Sequence, residues 1–326
     1  MKKILFISSL AAVLAVSSCK KSDFADSYTD PSKIAVSSVE KQFSGFVNSN
    51  LGYIMPGYWN YFVVQRITNN RYTQSVGWSN ATGQYIPGGG AVSDHWNAYY
   101  TFLSQYKELV KINKALSAAD QADRRIFMIA ATIYFYDYTQ KMVDVHGDLP
   151  WSAAGMLSAN GGDYLASLPK YDKAQDIYTK MLDDLKAFST ELNTLTVPAA
   201  IQTAFNTQDF VLKGSKAAWT RYCNSLRLRM LTRVSGSSEL GARATSEIGA
   251  MIAAPATFPL VSSNAENIQI NVFSTSTPVA GSNFQGGLED WNGNLASKAM
   301  IDHMNTNADP RLPALFEPGT AAGGVY

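Results

Sequence analysis

Between residues 94 and 235 apolar side chains recur every three or four positions in four long runs. In 94–117 they are Tyr99, Phe102, Leu103, Tyr106, Leu109, Val110 and Leu116, with Ser93 or Asp94 placed to cap the start. In 120–146 they are Ile126, Phe127, Ala130, Tyr134, Tyr138, Met142 and Val145, and Gly147 and Pro150 stop the run. In 171–192 they are Ala174, Tyr178, Met181, Leu185, Phe188 and Leu192; in 215–235 they are Trp219, Tyr222, Cys223, Leu226, Met230 and Val234. A period near 3.6 gathers each set on one helix face, so the spacing predicts a mostly α fold of packed amphipathic helices. Shorter helices are expected in 33–50, 239–253 and 295–304, and "NIQINVF", 267–273, alternates like a strand. Successive helices of this kind suit a helical-repeat arrangement, although no consensus returns at a fixed period.

The N-terminus is of another kind. Lys2 and Lys3 precede an apolar run, Ile4 to Val16, too short to span a bilayer as a permanent helix. Small residues follow, then Cys19. That order resembles a bacterial lipobox, which implies that residues 1–18 are a lipoprotein signal peptide and that Cys19 starts the mature chain. Cys19 would then carry lipid of the palmitate kind on its sulfur and amine. The plainer alternative is a secretory signal with a chance cysteine. Residues 19–32 read as a polar tether and 33–326 as a single domain. The chain stops in "GTAAGGVY", a loop with no closing element, so the domain is expected to be incomplete at its C-terminus. Without Lys2 and Lys3 the 27 basic residues fall to 25 against 26 acidic ones, a net charge near −1 that gives no electrostatic reason to expect nucleic acid. Cys223 is then the one free thiol, and its place in a helical run predicts a small buried apolar residue.

Charged residues are only 16% of the chain, aromatics reach 12%, and Tyr is the commonest of these. Low charge with many rings and amides suits a surface for neutral polar ligands. "NNRYTQSVGWSNATGQYIPGGG", 69–90, has no helical period and reads as a long exposed loop. A sugar offers a flat face of C–H bonds edged by hydroxyls; a ring covers the face while amides and charges hold the edge. Trp78 is the candidate platform, flanked by Tyr72 and Tyr85, with Arg71 and Asn80 as polar partners. Trp291, in the turn-rich "GGLEDWNGN", is the candidate second wall. Packing is the alternative for any one of these rings. Trp59 and Tyr61 sit in the apolar "PGYWNYFVVQ" and are expected in the core.

Catalytic and cofactor signatures are missing from the sequence. His95, His146 and His303 are far apart, and no metal-binding or nucleotide-binding motif occurs, so no cofactor is implied. A glycosidase needs two carboxylates facing each other. Nothing pairs Asp94, Asp148, Asp163, Glu289 and Asp290 by spacing. Arg229 and Arg233 share a helix face and are expected to pair with acidic neighbours such as Asp144 or Asp209.

Four stretches, in this order, resemble the SusD/RagB family of outer-membrane lipoproteins: "YTQKMVDVHGDLPW" (138–151), "YDKAQDIYTKMLDDLKAF" (171–188), "DFVLKGSKAAWTRYCNSLRLRMLTRVS" (209–235) and "NTNADPRLPALFEPG" (305–319). The resemblance, within the SusD-like branch, implies tetratricopeptide-like helix pairs with an irregular, loop-rich C-terminal part. It further implies a lipid-anchored, cell-surface nutrient-binding protein that captures oligosaccharide, or in some members peptide, for a TonB-dependent transporter barrel of the SusC kind. Members usually run longer than this chain, and their ligand contacts lie in variable loops outside the four motifs. Two rivals come from other classes: an enzyme acting on polysaccharide, and a helical scaffold in which the aromatics of 58–96 all pack inward.

Overall fold

The computed structural model describes residues 37–65, 70, 73, 76–77, 89–270, 272, 281–289, 295–319 and 323–324. Residues 39–326 form one compact unit. Its helices are α1 (Val39–Asn48), α2 (Leu51–Ile54), α3 (Gly89–Lys114), α4 (Ala118–Asp123), α5 (Arg125–His146), α6 (Ala174–Thr194), α7 (Ala199–Gln208), α8 (Lys216–Val234), α9 (Gly241–Ala253), α10 (Ser282–Glu289), α11 (Lys298–Thr306) and α12 (Leu312–Leu315). A π-helical turn covers Asn60–Gln65. The strands are two-residue pairs, β1 (Val76–Gly77) with β4 (Leu295–Ala296) and β2 (Leu149–Pro150) with β3 (Tyr171–Asp172), both antiparallel.

Helix α5 is the hub. It packs on α1, α3, α6 and α8, and the α6–α8 and α8–α9 pairs continue the stack. The sequence gives it one apolar stripe, yet sixteen of its residues are buried, on every face. A helix enclosed on all sides must satisfy its polar side chains internally. Thr139 does so through the Tyr99 hydroxyl at 3.0 Å, and Thr132 through the Tyr106 hydroxyl at 2.8 Å. Val145, placed on the stripe by spacing, is exposed because the last turn of α5 emerges from the stack. Rings fill the contact with α1 and α3: Phe46 stacks on Phe102 at 4.5 Å and Tyr106 on Phe135 at 4.3 Å.

The predicted end of α5 is as observed. Gly147 takes φ 74°, a region that side chains with a Cβ rarely enter, and the chain turns into β2. Asp148 then accepts from the Ala174 N–H at 2.9 Å and from Lys173 at 2.8 Å, and so starts α6. Asp163 likewise accepts the Ala166 N–H. Two of the acidic loop residues thus hold turns.

The sequence DFVLKGSKAAW, 209–219, builds the entry to α8. Asp209 is fully buried without a cation beside it. Its carboxylate accepts the N–H groups of Val211, Leu212 and Gly214 at 2.9–3.0 Å and the Trp219 indole N–H at 2.7 Å. Lys213 and Gly214 both take positive φ to aim these donors inward, and a Cβ on Gly214 would stand 2.2 Å from Asn206 Oδ1. Of the two acidic partners expected for Arg229 and Arg233, Asp209 is not used, because four N–H donors already fill it. Arg233 does pair with Asp144 at 3.1 Å, while Arg229 reaches Asp137 at 2.7 Å. Further along α8, Asn224 donates to the Pro259 carbonyl and Ser225 accepts the Val261 N–H, tying the segment after α9 to the bundle. Cys223 is fully buried and burial pushes its thiol up to about 12, so it is an inert core residue, as its spacing predicts.

Three secondary-structure expectations change. Helix α3 begins at Gly89, so Ser93 and Asp94 lie inside it and do not cap its start. Residues 267–270 of the expected 267–273 strand are irregular, while 271 and 273 lie outside the described residues; Ile268 and Ile270 pack against the core cluster with no strand beside them among the described residues. Helix α7 was unmarked in the sequence because its ten residues bury only Phe205.

Candidate ligand site

Cys19, Arg71, Tyr72, Trp78, Asn80, Tyr85 and Trp291 all lie outside the described residues. The backbone beside two of them is described. Val76 pairs with Ala296 and Gly77 with Leu295, so the chain entering Trp78 and the chain leaving Trp291 are joined.

Trp59 departs from expectation. It was placed in the core with Tyr61, but the π-helical turn that follows it separates their fates. Tyr61 is buried, edge-on to Phe284 of α10 at 4.9 Å, with Gly287 close against its ring. Trp59 is 64% exposed. Its indole N–H donates to Asp94 Oδ2 at 3.2 Å, which fixes one edge of the ring while much of the rest meets solvent. The reading in which all aromatics of 58–96 pack inward does not survive this residue.

Beside Asp94 opens a cavity of about 530 Å³ between the turn after α1, α2, the π-helical turn, α3 and α5. Its wall is polar: Asn50, Asn60, Gln65, Asp94, His95 and Thr101, with the rings of Tyr53 and Tyr138. Tyr53 stacks on Tyr138 at 4.2 Å, and the Lys141 ammonium sits 4.4 Å from its centroid. The Tyr53 hydroxyl is buried without a hydrogen-bond partner. Burial first, then the Asp137 charge, pushes its pKa far up, so it keeps its proton and can donate.

His95 and His146, far apart in sequence, meet here with ring nitrogens 3.5 Å apart. Burial, then His146, lowers the pKa of His95, so at neutral pH its ring is an uncharged donor and acceptor. Among the described residues no group of three or more His, Cys, Asp or Glu is arranged to hold a metal.

Tyr53 also borders a larger cavity of about 590 Å³, lined by Tyr134, Asp137, Tyr222, Arg229 and apolar side chains such as Ile54, Val261 and Ile268. Its charged groups are already matched, and the unpartnered Tyr53 hydroxyl faces Asp137 and Arg229 on this side. Asp137 accepts from the Tyr222 hydroxyl and from Arg229, which also donates to Gln140 at 2.9 Å. That leaves a mostly apolar hollow, while the Trp59 cavity presents the polar edge.

Residues 41–324 match the family model of SusD-like proteins, described as starch-binding and associating with the outer membrane. The chain belongs to the SusD-like family. Among solved structures, a chitin-binding protein superposes with TM-score 0.61 at 23% identity, over 83% of this chain and 54% of its own. A chitin-binding SusD homologue from Flavobacterium johnsoniae gives 0.60 at 20%, over 82% and 53%. A SusD homologue from Bacteroides ovatus gives 0.63 at 22%, over 87% and 54%. At these identities the likeness concerns the fold, and the chain spans about half the length of each of these structures. No curated protein matches it. The mostly helical SusD-like fold expected from the four motifs is the fold observed, and the motif residues Asp209, Gly214, Trp219 and Asn224 build it.

Proposed function

We propose that this SusD-like protein captures glycans at the outer surface of the outer membrane, held there by lipid on Cys19, and passes them to a TonB-dependent transporter barrel. The exposed indole of Trp59, pinned by Asp94 beside a polar cavity, carries this reading. Rings stack on sugar faces, and the amides of Asn60 and Gln65 match sugar hydroxyls. Trp78, with Tyr72, Tyr85, Arg71 and Asn80, extends the platform from the loop, and Trp291 closes its far side. The β1–β4 pairing supports bringing those segments together. The family description and the chitin-binding neighbours support a glycan over a peptide. Binding rather than hydrolysis is supported by Asp94, the one carboxylate among the described residues of the cavity wall, whose Oδ2 accepts the Trp59 indole.

A mixed glycan and peptide array probed with the full chain in detergent tests the ligand class. Neutral oligosaccharides should be retained and released uncleaved; retention of peptides alone, or cleavage of the sugars, contradicts the reading. Cys19→Ser should shift the protein from the membrane to the soluble fraction or leave it unprocessed. A processed mutant still held tightly in membranes would show that lipid on Cys19 is not the anchor.

A further inference from the structure

A second cavity, of about 410 Å³, lies between α3, α5 and α6, and three ammonium groups line it: Lys107, Lys114 and Lys180. Only Lys180 has a carboxylate of its own, Asp184 at 2.7 Å, which also accepts the Tyr136 hydroxyl. Lys107 donates to the neutral carbonyl of Ser152 at 2.8 Å. Lys114 makes no hydrogen bond or ion pair with the described residues. By contrast, every described arginine is paired with a carboxylate. Burial, with the Lys114 charge adding to it against Asp172, holds the Lys107 pKa below its usual value. This corner of the surface is short of negative charge.

Aromatic faces complete it. Tyr106, Phe135 and Trp151 line the same cavity, and the rings run nearly parallel, Tyr106 to Phe135 at 10° and Phe135 to Trp151 at 3°. Phe135 is buried under Tyr106, so the face left to a ligand is that of half-buried Trp151, and a flat apolar face beside unmatched cations suits a ring-shaped anion. We infer that this cavity is a second binding site, taking an acidic saccharide whose ring lies on the Trp151 side and whose carboxylate or sulfate meets Lys107 and Lys114. It is distinct from the Trp59 cavity: the two linings share no residue, and Lys114 stands twenty residues beyond Asp94 on α3. The inference stands whether or not the Trp59 cavity binds neutral glycan.

Tryptophan fluorescence titrations of the full chain in detergent, with glucuronate, glucose 6-sulfate, glucose and inorganic sulfate as probes, test it. Both acidic sugars should bind more tightly than glucose and sulfate, and added salt should weaken them. Lys114 is exposed and unpaired, so Lys114→Gln should fold normally and bind the acidic sugars about fivefold more weakly, the upper range for one exposed ion pair. Lys114→Arg should restore binding, and Trp59→Ala should leave it unchanged. Affinity for glucose equal to that for glucuronate overturns the inference, as does loss of the signal in Trp59→Ala. Unchanged binding by Lys114→Gln, or sulfate binding as tightly as the sugars, also overturns it.

Discussion

Asp209→Ala should leave the protein largely unfolded. The substitution removes the acceptor of four buried N–H groups at once: three backbone amides and the Trp219 indole. A buried donor left without a partner costs about 1–3 kcal/mol. Even if entering water recovers half of this at each of the four, the loss is about 2–6 kcal/mol, and its upper end matches the whole stability of many domains. Asp209→Asn keeps the shape but turns an NH₂ toward a donor, so it should cost roughly half as much. Urea denaturation followed by far-UV circular dichroism measures both. A loss below about 1 kcal/mol for Asp209→Ala would mean that the donors find other partners and that the nest is not what holds the entry to α8.

Trp219→Ala is expected to cost about 3–5 kcal/mol, as for a large ring removed from a closed core. Trp219 has no exposed surface and stacks against Tyr222 at 5.6 Å. A ring with no exposed surface leaves a cavity when it is removed. Trp219→Phe keeps much of the volume and loses the indole donor, so it should fall between. Because Trp219 and Asp209 share one hydrogen bond, the double mutant should lose less than the sum of the singles. Strict additivity would show that the bond contributes nothing, and an unchanged melting temperature for Trp219→Ala would refute the burial itself.

These residues explain what the sequence could reveal. Asp209, Gly214, Trp219, Asn224 and Gly147 each have a local task that few other residue types perform, so their pattern marks the fold. The helical runs were legible for the same reason: one apolar face leaves a period. Burial of α5 on all sides was not, because an enclosing layer is a property of its neighbours. Helix α7 bury too little to leave a stripe. Trp59 was hidden among apolar neighbours, and only the π-helical turn after it separates an outward indole from an inward Tyr61. His95 and His146 are fifty-one residues apart, and only the packing of α3 on α5 brings them together. Cavity walls collect single residues from several elements, which leaves no spacing to read.

The proposed site puts a glycan on the Trp59 indole, which Asp94 holds beside the polar cavity. Isothermal titration of the array-selected neutral oligosaccharide into the full chain and into Trp59→Ala tests it most directly, with Trp78→Ala as the companion for the loop platform. Trp59 is exposed, so its removal should leave the melting temperature near that of the wild type. Losing one stacking face should weaken binding on the order of tenfold, with little dependence on salt because the ligand is neutral. Wild-type affinity, within about twofold, in a folded Trp59→Ala protein would contradict the account.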